Sequence, residues 1–179
     1  MEVLIRLFAL LMTALFTVHA EDTLLLNAHI RMIPKIMALD TQALSHNPSG
    51  KATLAIVYDN NRRNNAKKIA DEINSNHNGN VGALPFIAMA ISVDELVIRH
   101  DIAFAYLIDM SKSSVNKVAS WGTSNNSPTF SYNAQNLDLG ILGTIVIERS
   151  TVIYINKNVL KAGKFRFNDS LFQIARLVE

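Results

Sequence analysis

At 179 residues, of which 49% are hydrophobic, the chain is long enough for one domain with a full core and gives no reason for a second. Its formal net charge of +2 comes from scattered Lys and Arg, which excludes the basic footprint of a nucleic-acid-binding protein and a polybasic membrane patch. The absence of cysteine excludes a disulfide framework, a thiolate metal site and a lipid-modified cysteine.

Residues 1–20 predict a cleavable secretory signal peptide. Arg6 is followed by an apolar run from Leu7 to Val18, and Val18-His19-Ala20 has the small residues of a cleavage site. This run is about a dozen residues long, whereas a membrane-spanning helix needs roughly 20. We therefore expect cleavage after Ala20, no insertion into the membrane afterwards, and a single mature domain over residues 21–179.

The mature chain opens with a helical pattern over Leu24 to Asp40, in which polar residues recur at helical spacing. Pro34 lies inside this pattern. Because proline lacks a backbone N–H and crowds the preceding turn, we expect a kink or a break near Ile33.

Strand and helix patterns alternate through the middle of the chain. Apolar runs of strand length are bounded by turn residues, and each of the first three is followed by a helical pattern. The third helix is expected to end before a polar loop at Gly122–Pro128. The predicted strands are Ala52–Tyr58, Leu84–Ile91, Phe104–Ile108 and Thr129–Tyr132.

Two β-branched runs in the C-terminal third predict a hairpin. Ile145 and Ile147 precede a polar break, and Ile153 and Ile155 follow it. Strands that alternate with helices favour a mostly parallel sheet with helices on both faces, and this hairpin adds an antiparallel edge. The predicted fold is an α/β class, three-layer α/β/α sandwich with a C-terminal antiparallel hairpin.

The last residues predict two helices. Asn156 suits the cap of a short helix that ends at Gly163, where we expect a positive φ. Ser170 and Gln173 form a capping-box pattern ahead of apolar residues at helical spacing. We expect the final helix to run to Val178.

A polar segment follows the first predicted strand, and another follows the third. Ligands of open α/β sheets bind beyond the carboxyl ends of the strands, so the two segments together form a candidate ligand site. The arginines suit an anion, whereas Asn and Asp are also common in tight turns and the serine also suits a helix cap. The candidate residues are Asp59, Asn60, Arg62, Arg63, Asp109 and Ser111.

The sequence contains no recognisable catalytic set. Ser120-Trp121-Gly122 lacks the Gly-x-Ser-x-Gly form of a nucleophile elbow. The histidines of the mature chain lack the spacing of metal ligands; they are His29, His46, His77 and His100. We therefore predict that the protein is not an enzyme and has neither a metal nor a cofactor.

The C-terminal third contains a distinctive order of motifs: the hairpin, Ile155-Asn156, a short helix, Ala162-Gly163 and the run from Ser170 to Ala175. This order resembles the end of the YfiR-like family of small bacterial periplasmic proteins. The resemblance implies a periplasmic, non-enzymatic regulator that restrains or senses for an inner-membrane signalling protein. It implies a diguanylate cyclase or a sensor kinase as the partner, and hence a role in cyclic di-GMP signalling and biofilm formation.

A regulator of this kind binds through a surface, so apolar residues outside the main buried stripes are candidate contacts. Packing in the core is the alternative explanation for the same residues. The alternative function is that of a periplasmic small-ligand binding protein, and a homodimer is left open. The candidate partner surface consists of Met32, Met37, Phe172 and Leu177.

Overall fold

The computed structural model describes residues 23–179, so the predicted signal peptide at residues 1–20 lies outside the described residues. The helices are α1 (23–37), α2 (Arg63–His77), α3 (Val93–Leu96), α4 (Lys112–Asn125), α5 (Lys157–Ala162) and α6 (Asp169–Ile174), and a 3-10 helix covers Ala134–Leu139. The strands are β1 (Ala52–Tyr58), β2 (Asn80–Val81), β3 (Leu84–Ser92), β4 (Phe104–Leu107), β5 (Thr129–Ser131), β6 (Gly143–Ile147), β7 (Thr151–Asn156) and β8 (Ala175–Val178).

The strands form one eight-stranded sheet in the order β2-β3-β1-β4-β5-β6-β7-β8. Strands β3, β1, β4, β5 and β6 are mutually parallel, whereas β2 and β7 pair antiparallel with their neighbours β3 and β6. After β1 the chain crosses to β3 on one side and then returns to β4 on the other. This reversal makes the carboxyl ends of β1 and β4 the switch point of the sheet, where open α/β proteins bind ligands.

Helices cover both faces of the sheet, and each face has its own hydrophobic core. Successive side chains of a strand point to opposite faces. In β1, Leu54 and Ile56 join the core beneath α1 and α2, whereas Ala55 and Val57 join the core beneath α3 and α4. The predicted three-layer α/β/α sandwich is therefore confirmed.

Helix α1 continues through Pro34 and packs on the sheet. Ile30, Ile33 and Met37 recur at helical spacing and are buried. The carbonyl of Ile30, which Pro34 leaves without its helical donor, interacts with His77 of α2. The break predicted near Ile33 is therefore absent, and the helix continues to residue 37.

The predicted final helix is wrong beyond Ile174. Asn168, rather than Ser170, caps α6, because the Asn168 side chain accepts the Ser170 backbone N–H at 3.0 Å. Ala175 is extended, with φ −97° and ψ 151°, and β8 pairs in parallel with β7. The apolar spacing fits a helix, but hydrogen bonding to the open edge of β7 decides the conformation, since tertiary context overrides a local helical preference.

Both edges of the sheet differ from the prediction. The hairpin of β6 and β7 is antiparallel, with Ile145 opposite Ile153, but β8 lies outside it and forms the edge. At the other edge lies the two-residue strand β2, which is not among the predicted strands.

Gly163 does not adopt the predicted positive φ. Its φ is −87° and its ψ is 165°, which is extended backbone open to any residue. A Cβ at this position would lie 2.1 Å from Cε2 of Phe165. The glycine therefore makes room for an aromatic ring and does not provide a left-handed turn.

Helix α4 is longer than predicted. It continues through Gly122, the expected start of a loop, and ends at Asn125; the next residue, Asn126, caps it with a left-handed φ of 54°. A Cβ on Gly122 would lie 2.4 Å from Cγ2 of Thr129 in β5. The glycine thus allows the end of the helix to approach the sheet closely. The prediction instead took Gly122 as a residue that begins a loop.

Candidate functional site

Polar side chains from the ends of β1 and β4 meet at the switch point. Arg62, which follows β1, pairs with Asp109, which follows β4, and Arg62 Nη1 donates to the carboxylate and to the backbone carbonyl of Asp109. The carboxylate of Asp59 accepts the backbone N–H of Ser111 at 2.9 Å. The structure therefore brings these predicted residues together across two neighbouring strands.

Asp59, Asn60 and Ser111 are held by contacts typical of a turn and a helix cap. Asn60 is left-handed, with φ 52°, and Ser111 Oγ accepts the Ser114 backbone N–H at 3.2 Å at the start of α4. Partial burial raises the pKa of Asp59, but hydrogen bonds from Ser111 and Ser114 and the charge of Arg62 outweigh it, so the pKa lies below its ordinary value. Asp59 stays charged and fastens the end of β1 to α4.

A cavity of about 670 Å³ lies beside the Arg62–Asp109 pair. Its walls come from α1, from α2 and the loop before it, and from the carboxyl ends of β4 and β5. This volume falls within the range of roughly 300–1,000 Å³ typical of small-molecule sites. The lining residues are Thr23, Leu26, Asn27, Arg62, Asn65, Lys68, Ile69, Glu72, Tyr106, Ile108, Asp109 and Tyr132.

Tyr106 is the most deeply buried polar residue of this wall. It lies in β4, is 1% exposed, and its hydroxyl has no hydrogen-bond partner among the described residues. Burial raises the pKa of the hydroxyl well above its ordinary value, so the group stays protonated. Leaving a buried polar group unpaired costs roughly 1–3 kcal/mol. Such a group in a cavity wall is a candidate ligand contact.

His29 of α1 packs against the aromatic part of the wall. Its ring centroid lies 5.4 Å from that of Tyr106 and 5.3 Å from that of Tyr132. Burial lowers the pKa of His29 to about 4, although a backbone hydrogen bond opposes the shift, so the imidazole is neutral at pH 7. Its Nδ1 has no hydrogen-bond partner within residues 23–179.

Among the described residues, the wall carries two positively and two negatively charged side chains, of which only one of each sign forms an ion pair. Arg62 and Asp109 hold each other, whereas neither Lys68 nor Glu72 forms an ion pair with any described residue. The neighbouring Lys67 does so, since its Nζ lies 2.6 Å from Asp71 Oδ2. The cavity therefore presents one ammonium and one carboxylate that are not committed to the fold.

The structure divides the predicted ligand residues into two groups. Arg62 and Asp109 line the cavity, while the others, including Arg63, do not. Sequence reasoning missed Tyr106, because it lies inside a run that reads only as a buried strand. A tyrosine near the carboxyl end of a predicted central strand is the signal that identifies it.

The predicted partner surface is divided as well. Phe172 and Leu177 are 40% and 54% exposed, and Ile174 nearby is 59% exposed. Met37 is fully buried, so its assignment to the surface is wrong, because it lies on the stripe of α1 that faces the sheet. Met32 is half-buried and packs against the same core.

The part of the chain that the structure describes contains neither a metal-binding group of side chains nor a membrane-spanning helix. No group of histidine and acidic side chains there could hold a metal ion. No helix there is long and apolar enough to cross a bilayer.

No protein-family model and no curated protein matches the chain, but solved structures do. An ABC domain from Streptococcus pneumonia, in complex with L-Trp, is 15% identical over 82% of this chain and 61% of that chain, with a TM-score of 0.50. A substrate-binding protein with adhesive properties from Clostridium difficile, in its ligand-free, open form, is 15% identical over 77% and 57%, with a TM-score of 0.50. A conserved domain protein from Vibrio cholerae is 7% identical over 86% and 60%, with a TM-score of 0.56.

These identities show a shared fold. The chain spans about three fifths of the length of the solved structures that it matches. The mostly parallel sheet and its two helical layers are therefore shared with these structures, and the function of this chain is a separate question.

Proposed function

We propose that the chain is a small-ligand binding protein whose site is the cavity beside Arg62 and Asp109. The observation that carries the proposal is Tyr106, a residue of the cavity wall whose buried hydroxyl has no partner among the described residues. A folded protein retains such a group where a ligand or an ordered water completes its hydrogen bonds. The cavity also lies at the switch point, the usual ligand site of open α/β sheets.

The comparisons support this proposal over a purely regulatory role. Two of the similar structures are described as an L-Trp complex and as a substrate-binding protein. The export signal predicted at residues 1–20 agrees with a binding protein that works outside the cytoplasm. We place the protein in the periplasm, where it takes up a small solute without chemically changing it.

Thermal unfolding against a panel of small solutes tests the proposal. A ligand that binds only the folded state raises the stability by about 2.7 kcal/mol at 100 times its Kd. Asn65 lines the cavity and Asn64 beside it does not, and both are exposed on α2. Asn65→Trp is expected to abolish the stabilisation, and Asn64→Trp, the matched control, to retain it. A solute that stabilises both variants equally binds elsewhere and contradicts the proposal.

A second candidate function is that of a regulator of an inner-membrane signalling protein. It is favoured by the exposed apolar side chains of Phe172, Ile174 and Leu177 on α6 and β8. Within residues 23–179 the outer edge of β8 also has no strand partner. An exposed strand edge with apolar side chains suits the addition of a partner strand. The YfiR-like resemblance suggests the periplasmic part of a diguanylate cyclase or a sensor kinase as this partner.

Complementation of a deletion strain tests the second candidate. The deletion is expected to raise the cyclic di-GMP level, and the wild-type gene is expected to return it to the level of the parent strain. Leu177→Ser is expected to fail in restoration, whereas Leu44→Ser, at a comparably exposed apolar residue elsewhere, is expected to succeed. An unchanged cyclic di-GMP level in the deletion strain would exclude the cyclase as partner.

A further inference from the structure

We infer that the free edge of the Arg62 guanidinium anchors a carboxylate, and that the ligand is a small organic acid with a largely apolar body. This inference rests on the ligand-binding function proposed above and names the chemical class of that ligand.

The contacts of Arg62 use only one side of its guanidinium. A guanidinium has five N–H donors. Nη1 donates to the carboxylate and to the backbone carbonyl of Asp109, whereas Nε and Nη2 donate to no described residue. The edge formed by Nε and Nη2 presents two parallel N–H groups, which match the two oxygens of a carboxylate.

Asp109 prepares this edge for a ligand. By holding Nη1 at two points, it fixes the plane of the guanidinium before any ligand arrives, so less conformational freedom is lost on binding. Lys68 lies on the same cavity wall and forms no ion pair with a described carboxylate, so its ammonium is also available to a ligand. The wall as a whole is neutral, so the preference for a carboxylate comes from the free N–H donors of Arg62 and not from net charge.

The remaining wall favours a carbon body over a second charge. Leu26, Ile69 and Ile108 contribute apolar side chains, and Tyr106 contributes a ring and a neutral hydroxyl. Asp109 and Glu72 lie on the same wall, so a dianion meets more repulsion there than a monoanion. A phosphate group also fits an arginine fork, but these carboxylates and the apolar wall favour a monocarboxylate.

Isothermal titration of the full chain with matched acids and amides tests the inference. The probes are benzoate, hexanoate and phenylpropanoate, their primary amides, and inorganic phosphate. Each acid that binds is expected to bind on the order of tenfold more tightly than its amide, as befits a lost charge-assisted hydrogen bond.

Arg62→Lys and Arg63→Lys form the matched pair of variants, since both keep the charge and only Arg62 lines the cavity. Arg62→Lys is expected to lose the preference for acids, because an ammonium lacks the planar fork, and Arg63→Lys to keep it. Thermal melts confirm that both variants fold.

The outcomes separate this inference from the function it rests on. Equal binding of acids and amides, or equal effects of the two variants, overturns the carboxylate anchor and leaves a small-ligand binding protein. Phosphate binding tighter than that of every acid overturns the assignment to a carboxylic acid. If neither these probes nor the broader solute panel bind, the proposed function fails.

Discussion

The imidazole Nε2 of His29 lies 2.8 Å from the carbonyl oxygen of Ile145, a residue 116 positions later in the chain. A carbonyl only accepts hydrogen bonds, so Nε2 carries the proton and Nδ1 carries the lone pair. This bond fastens α1, one wall of the cavity, to β6 in the second half of the sheet.

Two buried groups, His29 and Asp40, are expected to change the stability in opposite directions as the pH falls. Burial lowers the pKa of His29 from 6.5 to about 4, so between these values the unfolded chain binds a proton that the folded chain does not. Stability at this site therefore falls as the pH drops from 6.5 to 4, by up to roughly 3 kcal/mol. Burial raises the pKa of Asp40 from 3.8 to about 6, which increases stability over nearly the same fall in pH.

Denaturant unfolding between pH 4 and 8 separates the two groups. In Asp40→Asn the compensating gain is removed, so stability is expected to fall steeply on acidification, with smaller contributions of the same sign from His46 and His77, whose pKa values burial also lowers. At pH 8, Asp40→Asn is expected to stabilise the chain by about 2 kcal/mol, because a buried charge is gone. If the unfolding free energy of Asp40→Asn changed with pH in the same way as that of the wild type, the pKa of Asp40 would not be raised in the folded chain.

Replacing Tyr106 by Phe is expected to separate stability from binding. The hydroxyl has no partner among the described residues, so its removal leaves the unliganded protein as stable or more stable by about 1 kcal/mol. The affinity for the site ligand is expected to fall on the order of tenfold, because one hydrogen bond is lost. Thermal melts and titration measure the two effects.

Tyr154→Phe is the control for this substitution. The Tyr154 hydroxyl donates to Glu148 at the surface, away from the cavity, so its removal is expected to leave the affinity unchanged. A loss of stability in Tyr106→Phe without any loss of affinity would mean that the hydroxyl serves the fold alone.

Alanine at two glycines is expected to have unequal effects. A Cβ on Gly143 would lie 2.4 Å from the ring of Phe130, and a Cβ on Gly163 would lie 2.1 Å from the ring of Phe165. Phe130 is fully buried and cannot move aside, whereas Phe165 is half-buried and can rotate towards solvent. Gly143→Ala is expected to cost about 2–3 kcal/mol, and Gly163→Ala less than about 1 kcal/mol.

A second substitution checks the cause of this difference. Phe130→Leu combined with Gly143→Ala is expected to destabilise by less than the sum of the two single changes, since the smaller side chain removes the clash. Additive losses in chemical denaturation would show that Phe130 is not what restricts Gly143.

Asn74 is expected to contribute to stability far more than the exposed Asn76 on the same helix. Its side-chain Nδ2 donates to the carbonyl of Ala88 and its Oδ1 accepts the Ala88 N–H, both at 2.8 Å, so it completes the backbone hydrogen bonds of β3. Asn74→Ala is expected to cost about 2 kcal/mol, because two partly buried backbone groups lose their partners. Asn76→Ala, at an exposed position on the same helix, is expected to change the unfolding free energy by less than about 0.5 kcal/mol. Equal effects of the two would contradict the assignment.

Periodicity predicted the elements whose conformation depends on a buried stripe or a buried run. Strands β1, β3 and β4 and helix α2 belong to this class, because the pattern that forms them is local. The C-terminal segment from Ala175 to Val178 does not, since its apolar spacing suits a helix and only the open edge of β7 makes it a strand. Met37 is a similar case: its burial depends on which side of α1 faces the sheet.

The candidate site could be predicted in part for the same reason. Arg62 and Asp109 stand at strand ends, and the rule for open α/β sheets brings such ends together. His29 and Lys68 reach the cavity region through packing of α1 and α2, which no spacing in the sequence expresses. Tyr106 lies on β4 itself, inside a run that the sequence marks only as a buried strand.

The strand order also predicts which part of the sheet unfolds first. From β5 onwards each strand pairs with the one before it in the chain, so this side of the sheet extends from β1 through β4 and ends at β8, which has a single neighbour. Local opening begins at strands with the fewest hydrogen-bonded neighbours. The amide protons of β8 are therefore expected to exchange long before those of β1. The cavity beside Arg62 and Asp109 therefore lies at the ends of central strands, which are expected to open last, while the exposed apolar side chains of α6 and β8 belong to the part expected to open first.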